Sequence, residues 1–100
     1  MEFFNLEVQA VVENTQGSIA RVALSGTNAI IVNHKSDMFY FVESGTGVML
    51  VDDTLHYLSP RSAVDISAGT PYQDQSNGHE PLVMLAYAHP PFDPNSVETI

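Results

Sequence analysis

Residues 38–47 read Met38-Phe39-Tyr40-Phe41-Val42-Glu43-Ser44-Gly45-Thr46-Gly47, and this stretch decides the fold class. Its first six residues are mostly aromatic or β-branched, a composition that favours the pleated strand over the helix. Side chains alternate along a strand, so Met38, Tyr40 and Val42 share one face while Phe39 and Phe41 share the other. Both faces are apolar, which predicts that both are covered. One would look into a barrel interior. The other would pack on the N-terminal strand or on a partner subunit, with Phe3, Phe4 and Leu6 at hand. Gly45 and Gly47 flank a tight reversal in which positive φ is needed.

The same pattern recurs on either side. Short runs rich in Val, Ile, Phe and Tyr span Leu6 to Val12, Ile19 to Ser25, Ala29 to Asn33, Gly47 to Val51, Leu55 to Leu58, Ala63 to Ile66 and Leu82 to Ala88. No segment keeps helical spacing over three turns. Turn-forming residues separate the runs: Asn14-Thr15-Gln16-Gly17, Ser25-Gly26-Thr27-Asn28, Asp52-Asp53-Thr54, Ser59-Pro60-Arg61 and Ser76-Asn77-Gly78-His79. Strands at this spacing predict an all-β sandwich or barrel. The tail Pro90-Pro91-Phe92-Asp93-Pro94-Asn95 lacks the amide donors a ladder needs, so it is expected to run over the surface with Phe92 as its anchor.

A chain of 100 residues has the size of one domain, and 44% hydrophobic residues supply its core. At this size, pairing through an apolar face adds stability, so a homodimer is expected. Twelve acidic residues against Arg21, Lys35 and Arg61 give a net charge of −9, which disfavours nucleic acid and anionic membrane surfaces. The absence of cysteine excludes disulfides, thiolate metal sites and cysteine nucleophiles. Glu2 and Glu7 stand where a signal peptide would be basic, and no run is long enough for a membrane helix, so a cytoplasmic location is expected.

The residues now on the page resemble the cupins, the double-stranded β-helix or jelly-roll proteins. The first cupin motif, G-x5-H-x-H-x3-E-x6-G, falls on Gly26, Val32, His34, Met38 and Gly45. The second, G-x5-P-x-G-x2-H-x3-N, falls on Arg61, Ser67, Gly69, Tyr72 and Ser76. Phe39 to Gly47 is similar to the strand and Gly-rich turn of the first motif, and Ile66 to Tyr72 to the approach to the second-motif histidine. The resemblance covers about residues 19–94 and implies one cupin domain over 1–100, with an N-terminal strand at 6–12 and a proline-rich tail at 90–100. It also implies where a metal would sit. Val32, His34, Met38 and Tyr72 hold the four ligand positions, and one imidazole with a thioether and a phenol does not make a first-row metal site. No cofactor is expected.

The candidate ligand-binding residues are therefore His34, Met38, Tyr40, Tyr72 and Asp74. His34 is the surviving ligand-like histidine, Tyr72 should point inward, and Asp74 shares its face if the chain stays extended. Met38 fits core packing, and Tyr40 fits either core or pocket. The favoured reading is a metal-independent cupin that binds a sugar or other metabolite in its barrel. The alternatives are a cofactor-free isomerase or epimerase using His34 and Tyr72 as acid and base, and a dimeric interaction module with an occluded barrel. A metal site rebuilt from His34, Asp37 and His56 has no support from their spacing. His79 and His89 are read as structural or surface residues.

Overall fold

The computed structural model of the protein describes residues 6–100. Its strands are β1 (Leu6–Glu13), β2 (Ser18–Leu24), β3 (Ile31–Asn33), β4 (Asp37–Ser44), β5 (Gly47–Val51), β6 (Thr54–Leu58), β7 (Ala63–Ile66), β8 (Pro71–Ser76), β9 (Leu82–His89) and β10 (Val97–Thr99). A single 3-10 turn, Pro94–Ser96, precedes β10. The strands form two antiparallel sheets, ordered β1-β2-β9-β4-β7 and β10-β3-β8-β5-β6. No helix among the described residues is long and apolar enough to cross a membrane.

Alternation on β4 is as expected, with Met38, Tyr40 and Val42 buried and Phe39 and Phe41 exposed. Cross-strand register carries this parity across the first sheet. Ser18, Ala88, Met38 and Ile66 form one inward row, Ala20, Ala86, Tyr40 and Val64 the next, and Val22, Met84 and Val42 a third. On β1, a register shift between Val8 and Ala10 places Val11 opposite Ala20, so Leu6, Val8 and Val11 all oppose inward residues. The second sheet answers with Ile31, Met49, Tyr72 and Asp74, and the two inner faces meet around Leu24, Met49, Leu82 and Met84, none of which is exposed.

Turns follow from their residues. Asn14 Oδ1 accepts from the amides of Gln16 and Gly17, closing the β1–β2 connection. Gly45 has φ of 83°, the conformation anticipated for the β4–β5 reversal. Gly47 is needed for another reason. It is the first residue of β5 with no positive φ, and an added Cβ would lie 2.2 Å from the Gln75 carbonyl oxygen. Close backbone approach, not turn geometry, demands glycine there.

Three further expectations change. The stretch 71–76 is a strand, β8, although PYQDQS shows no apolar alternation. Its inward residues after Tyr72 are Asp74 and Ser76, so a polar interior erased the periodic signal. The tail does run past Pro90, Pro91 and Pro94 outside any ladder, but then Val97–Thr99 pairs with β3. Finally, the outer side of β4 is not covered by the N-terminal strand, because β1 extends the sheet edge beside β2. Phe39 and Phe41 are each 43% exposed. With Ile19, Ala63, Leu85 and Tyr87 they bound an outer hollow of about 370 Å³. The expectation for Phe3 and Phe4 lies outside the described residues.

Candidate functional site

Between the inner faces lies a cavity of about 260 Å³. Its floor and walls come from Val22, Ala20, Ala86 and Ala88 on the first sheet and Ile31 on the second, and the small alanines leave the space that larger side chains would fill. Leu6, Val8 and Val11 of β1 and Phe92 and Pro94 of the tail also line it. Val8 and Val11 are exposed, so the mouth opens beside β1. Phe92 is held in place by its amide, which donates to Ser18 Oγ at 2.9 Å.

The polar groups gather from both sheets. Tyr40 on β4 and Tyr72 on β8 approach hydroxyl to hydroxyl at 2.8 Å, with ring centroids 5.8 Å apart and planes tilted by 59°. Two phenols share one mutual hydrogen bond, so one hydroxyl hydrogen is left to donate elsewhere. Asp74 follows Tyr72 by two residues on the same face and is 2% exposed. Its Oδ1 is buried without a hydrogen-bond partner. Asn28 completes the group from the loop before β3. The Asn28 amide donates to the Asp74 carbonyl at 3.0 Å, and Asn28 Oδ1 accepts from the Ala29 amide at 2.9 Å. That second bond commits the side-chain oxygen and turns the NH2 group to the Asp74 carboxyl.

Burial governs the charge states. It raises the Asp74 carboxyl above its ordinary 3.8, while the hydrogen bond from Asn28 and one from the backbone pull it part of the way back. Burial pushes the Tyr72 phenol up to about 12, the bond to Tyr40 lowering it and the neighbouring Asp74 raising it. Tyr40 is raised well above 10, by burial first and then by Tyr72 and Asp74. Both phenols are neutral donors at physiological pH. Asp74 is the one carboxylic acid among the residues that line the cavity.

The structure brings Met38, Tyr40, Tyr72 and Asp74 together on this cavity and separates His34 from them. Met38 packs in the core, its sulfur 3.5 Å from Asn33 Nδ2. His34 lies outside because β3 ends at Asn33, whose Oδ1 accepts from the amides of Lys35 and Ser36 and turns the chain. His34 then faces solvent and pairs with Glu98 of β10 at 2.9 Å. An acid/base pair of His34 with Tyr72 has no geometric basis. Asp37 is occupied elsewhere, accepting from the Ala68 amide at 2.9 Å. Among the described residues, no three His, Cys, Asp or Glu side chains converge to hold a metal. The residues present do not fit the cupin metal. Two site residues escaped the sequence reading: Asn28, which looks like any turn asparagine, and Phe92 as part of the cavity wall.

No protein-family model matches the sequence, and no curated protein matches it significantly. Solved structures do match. Streptomyces PAC13, described as a nucleoside dehydratase, superposes with a TM-score of 0.81 at 18% identity, covering 99% of this chain and 83% of that one, and variants of it have been solved with uridine. KdgF from a Halomonas species gives 0.79 at 12% identity over 90% of this chain and 88% of its own. The cupin domain of Schizosaccharomyces pombe Cnp3 gives 0.78 at 14% identity over 90% of this chain and 69% of its own. The sheet order, the inward parity and these neighbours agree: the chain has the cupin fold, an all-β double-stranded β-helix.

Proposed function

We propose that the barrel binds a small organic molecule without a metal, held between apolar walls and the polar group of Tyr40, Tyr72, Asp74 and Asn28. The observation that carries the reading is Asp74 Oδ1, a buried oxygen without a partner on the wall of a cavity. Leaving such a group unpaired costs about 1–3 kcal/mol, and a ligand that donates to it recovers that loss. Size supports the reading as well. An apolar cavity of about 150 Å³ holds benzene, so by the same scale 260 Å³ accommodates about ten non-hydrogen atoms. A molecule as large as the uridine seen with PAC13 would fill the cavity and extend through the mouth beside β1.

The test is a ligand-observed NMR screen of compounds of that size, repeated with Ala86→Leu. Ala86 sits between Ala20 and Tyr40 on the cavity wall, so the longer side chain fills the space. Expected hits compete with one another, bind the wild type and are lost in the variant. A folded wild-type protein that yields no competing hits refutes the reading.

The outer face of the first sheet supports a homodimer as a second, separate proposal. Ile19, Tyr87 and Phe39 form one row and Leu85, Phe41 and Ala63 the next, all on the side away from the barrel. A contiguous apolar band of this kind is the usual mark of an association surface.

A further inference from the structure

We infer that the cavity selects a small organic cation, a primary amine on an apolar body, of about ten non-hydrogen atoms in all. The inference rests on the reading of the barrel as a binding site and adds the charge of the occupant. Among the residues that line the cavity, Asp74 is the one carboxyl, and Lys, Arg and His are not represented. The titratable groups that face Asp74 are the two phenols, Tyr72 on its own strand and Tyr40 from β4 across the barrel. Neither supplies positive charge. An ionised Asp74 is therefore a buried anion with no counter-ion, a state that proteins avoid unless a cation completes it.

Two partners can relieve that state. A proton neutralises the charge, which is why burial raises the carboxyl. It leaves the lone pairs of Oδ1 without a donor from elsewhere. An ammonium group relieves both, since it brings positive charge and three N–H donors. Oδ1 takes one donor, and the phenol oxygens of the Tyr40–Tyr72 pair are acceptors for another. Tyr40, Tyr72 and Phe92 line the same cavity with aromatic rings, which attract cations over their faces. The remaining walls are aliphatic and suit an apolar body. At long range, a net charge of −9 concentrates cations near the protein and disfavours carboxylates and phosphates. A ligand offering acceptors alone would leave Oδ1 unpaired.

Three probes share a phenyl ring and a short linker but differ in charge: phenethylamine, phenethyl alcohol and phenylacetate. Their dissociation constants are measured by NMR titration of the full chain at neutral pH, for the wild type and for Asp74→Asn. A charged hydrogen bond exceeds a neutral one enough to make the amine about ten-fold tighter than the alcohol. Phenylacetate should bind weakest. In Asp74→Asn the amine falls to the level of the alcohol, whose own affinity changes little. If the alcohol binds the wild type as tightly as the amine, or the variant keeps the preference, the cation assignment is wrong and the cavity reading survives. If none of the three binds, the amine assignment is wrong, and the ligand screen with Ala86→Leu decides the cavity reading separately. The wild-type comparison stands even where the variant does not fold.

Discussion

Replacing Asp74 with Asn should make the protein more stable at neutral pH, in contrast to most substitutions of a fully buried residue. Asn keeps the shape, and its side-chain oxygen can still accept from Asn28, but it removes a carboxyl that burial disfavours in its ionised form. The sign follows from proton linkage. The folded carboxyl lies above 3.8, the ordinary value of the unfolded chain. Between those two values the folded state holds a proton that the unfolded state has lost, so wild-type stability falls as pH rises through the window and levels off above it. The variant lacks this term. Its advantage should be absent below pH 3.8 and grow to a plateau above the folded value. The variant still buries one unpaired polar group, so what it gains is the extra cost of a charged over a neutral one, about 1 kcal/mol at the plateau. For a domain of this size that raises Tm by roughly 4–8 °C. Thermal unfolding followed by circular dichroism across the pH range reads the difference directly, and the other eleven acidic residues cancel in the comparison, since the sequence holds twelve Asp and Glu in all. An Asn variant less stable than wild type at neutral pH, or a gap that does not close as pH falls, would refute the account of Asp74.

The Tyr40–Tyr72 pair should behave as one unit in a double-mutant cycle. Tyr40→Phe or Tyr72→Phe alone strands a buried hydroxyl and costs about 1–3 kcal/mol, whereas the double variant loses less than the sum, because no orphan remains; strict additivity in urea unfolding would contradict the pairing. Phe41→Asp places a charge in the outer apolar band, so sedimentation should find the variant monomeric at concentrations where the wild type is dimeric, and a monomeric wild type ends the dimer proposal. His34→Ala removes a pair in which both side chains are more than half exposed, so stability should change by less than about 1 kcal/mol and ligand affinity should not change. A loss of affinity would place His34 back in the site.

Where the sequence was legible, one face of each strand was apolar and the other was not needed to carry information. The β4 parity, the glycine at position 45 and the limits of β5 and β7 follow from such residues directly. The strand that was missed, β8, fails this condition because its inward face is largely polar. Tyr72, Asp74 and Ser76 point inward, Gln73 and Gln75 do not, and a segment polar on both faces has no periodic apolar signal. β10 was hidden differently: three residues pair with β3 just beyond a proline-rich run, and three residues are too few for a pattern. Gly47 was identified as a necessary glycine for the wrong cause, since a contact with Gln75 across β5 and β8 is long-range information that a local turn reading lacks.

The candidate site shows the same division between parity and tertiary contact. Tyr40 and Asp74 could be placed by counting residues from Met38 and Tyr72 along extended chain, and the counting holds because β4 and β8 are regular there. His34 was placed by the motif counted from Gly26 and lies outside the barrel, since the side chain of Asn33 stops the strand one residue earlier. One asparagine thus removes the last histidine of the first-motif set from the interior, while another, Asn28, is drawn into the barrel wall by its backbone bond to Asp74. The polar group of the cavity, Tyr40, Tyr72, Asp74 and Asn28, does not coincide with the motif positions at Val32, His34, Met38 and Tyr72. Only Tyr72 belongs to both sets. The bare Oδ1 of Asp74, set beside two phenols and an amide on the cavity wall, is what directs the search for an occupant toward small organic molecules that can donate.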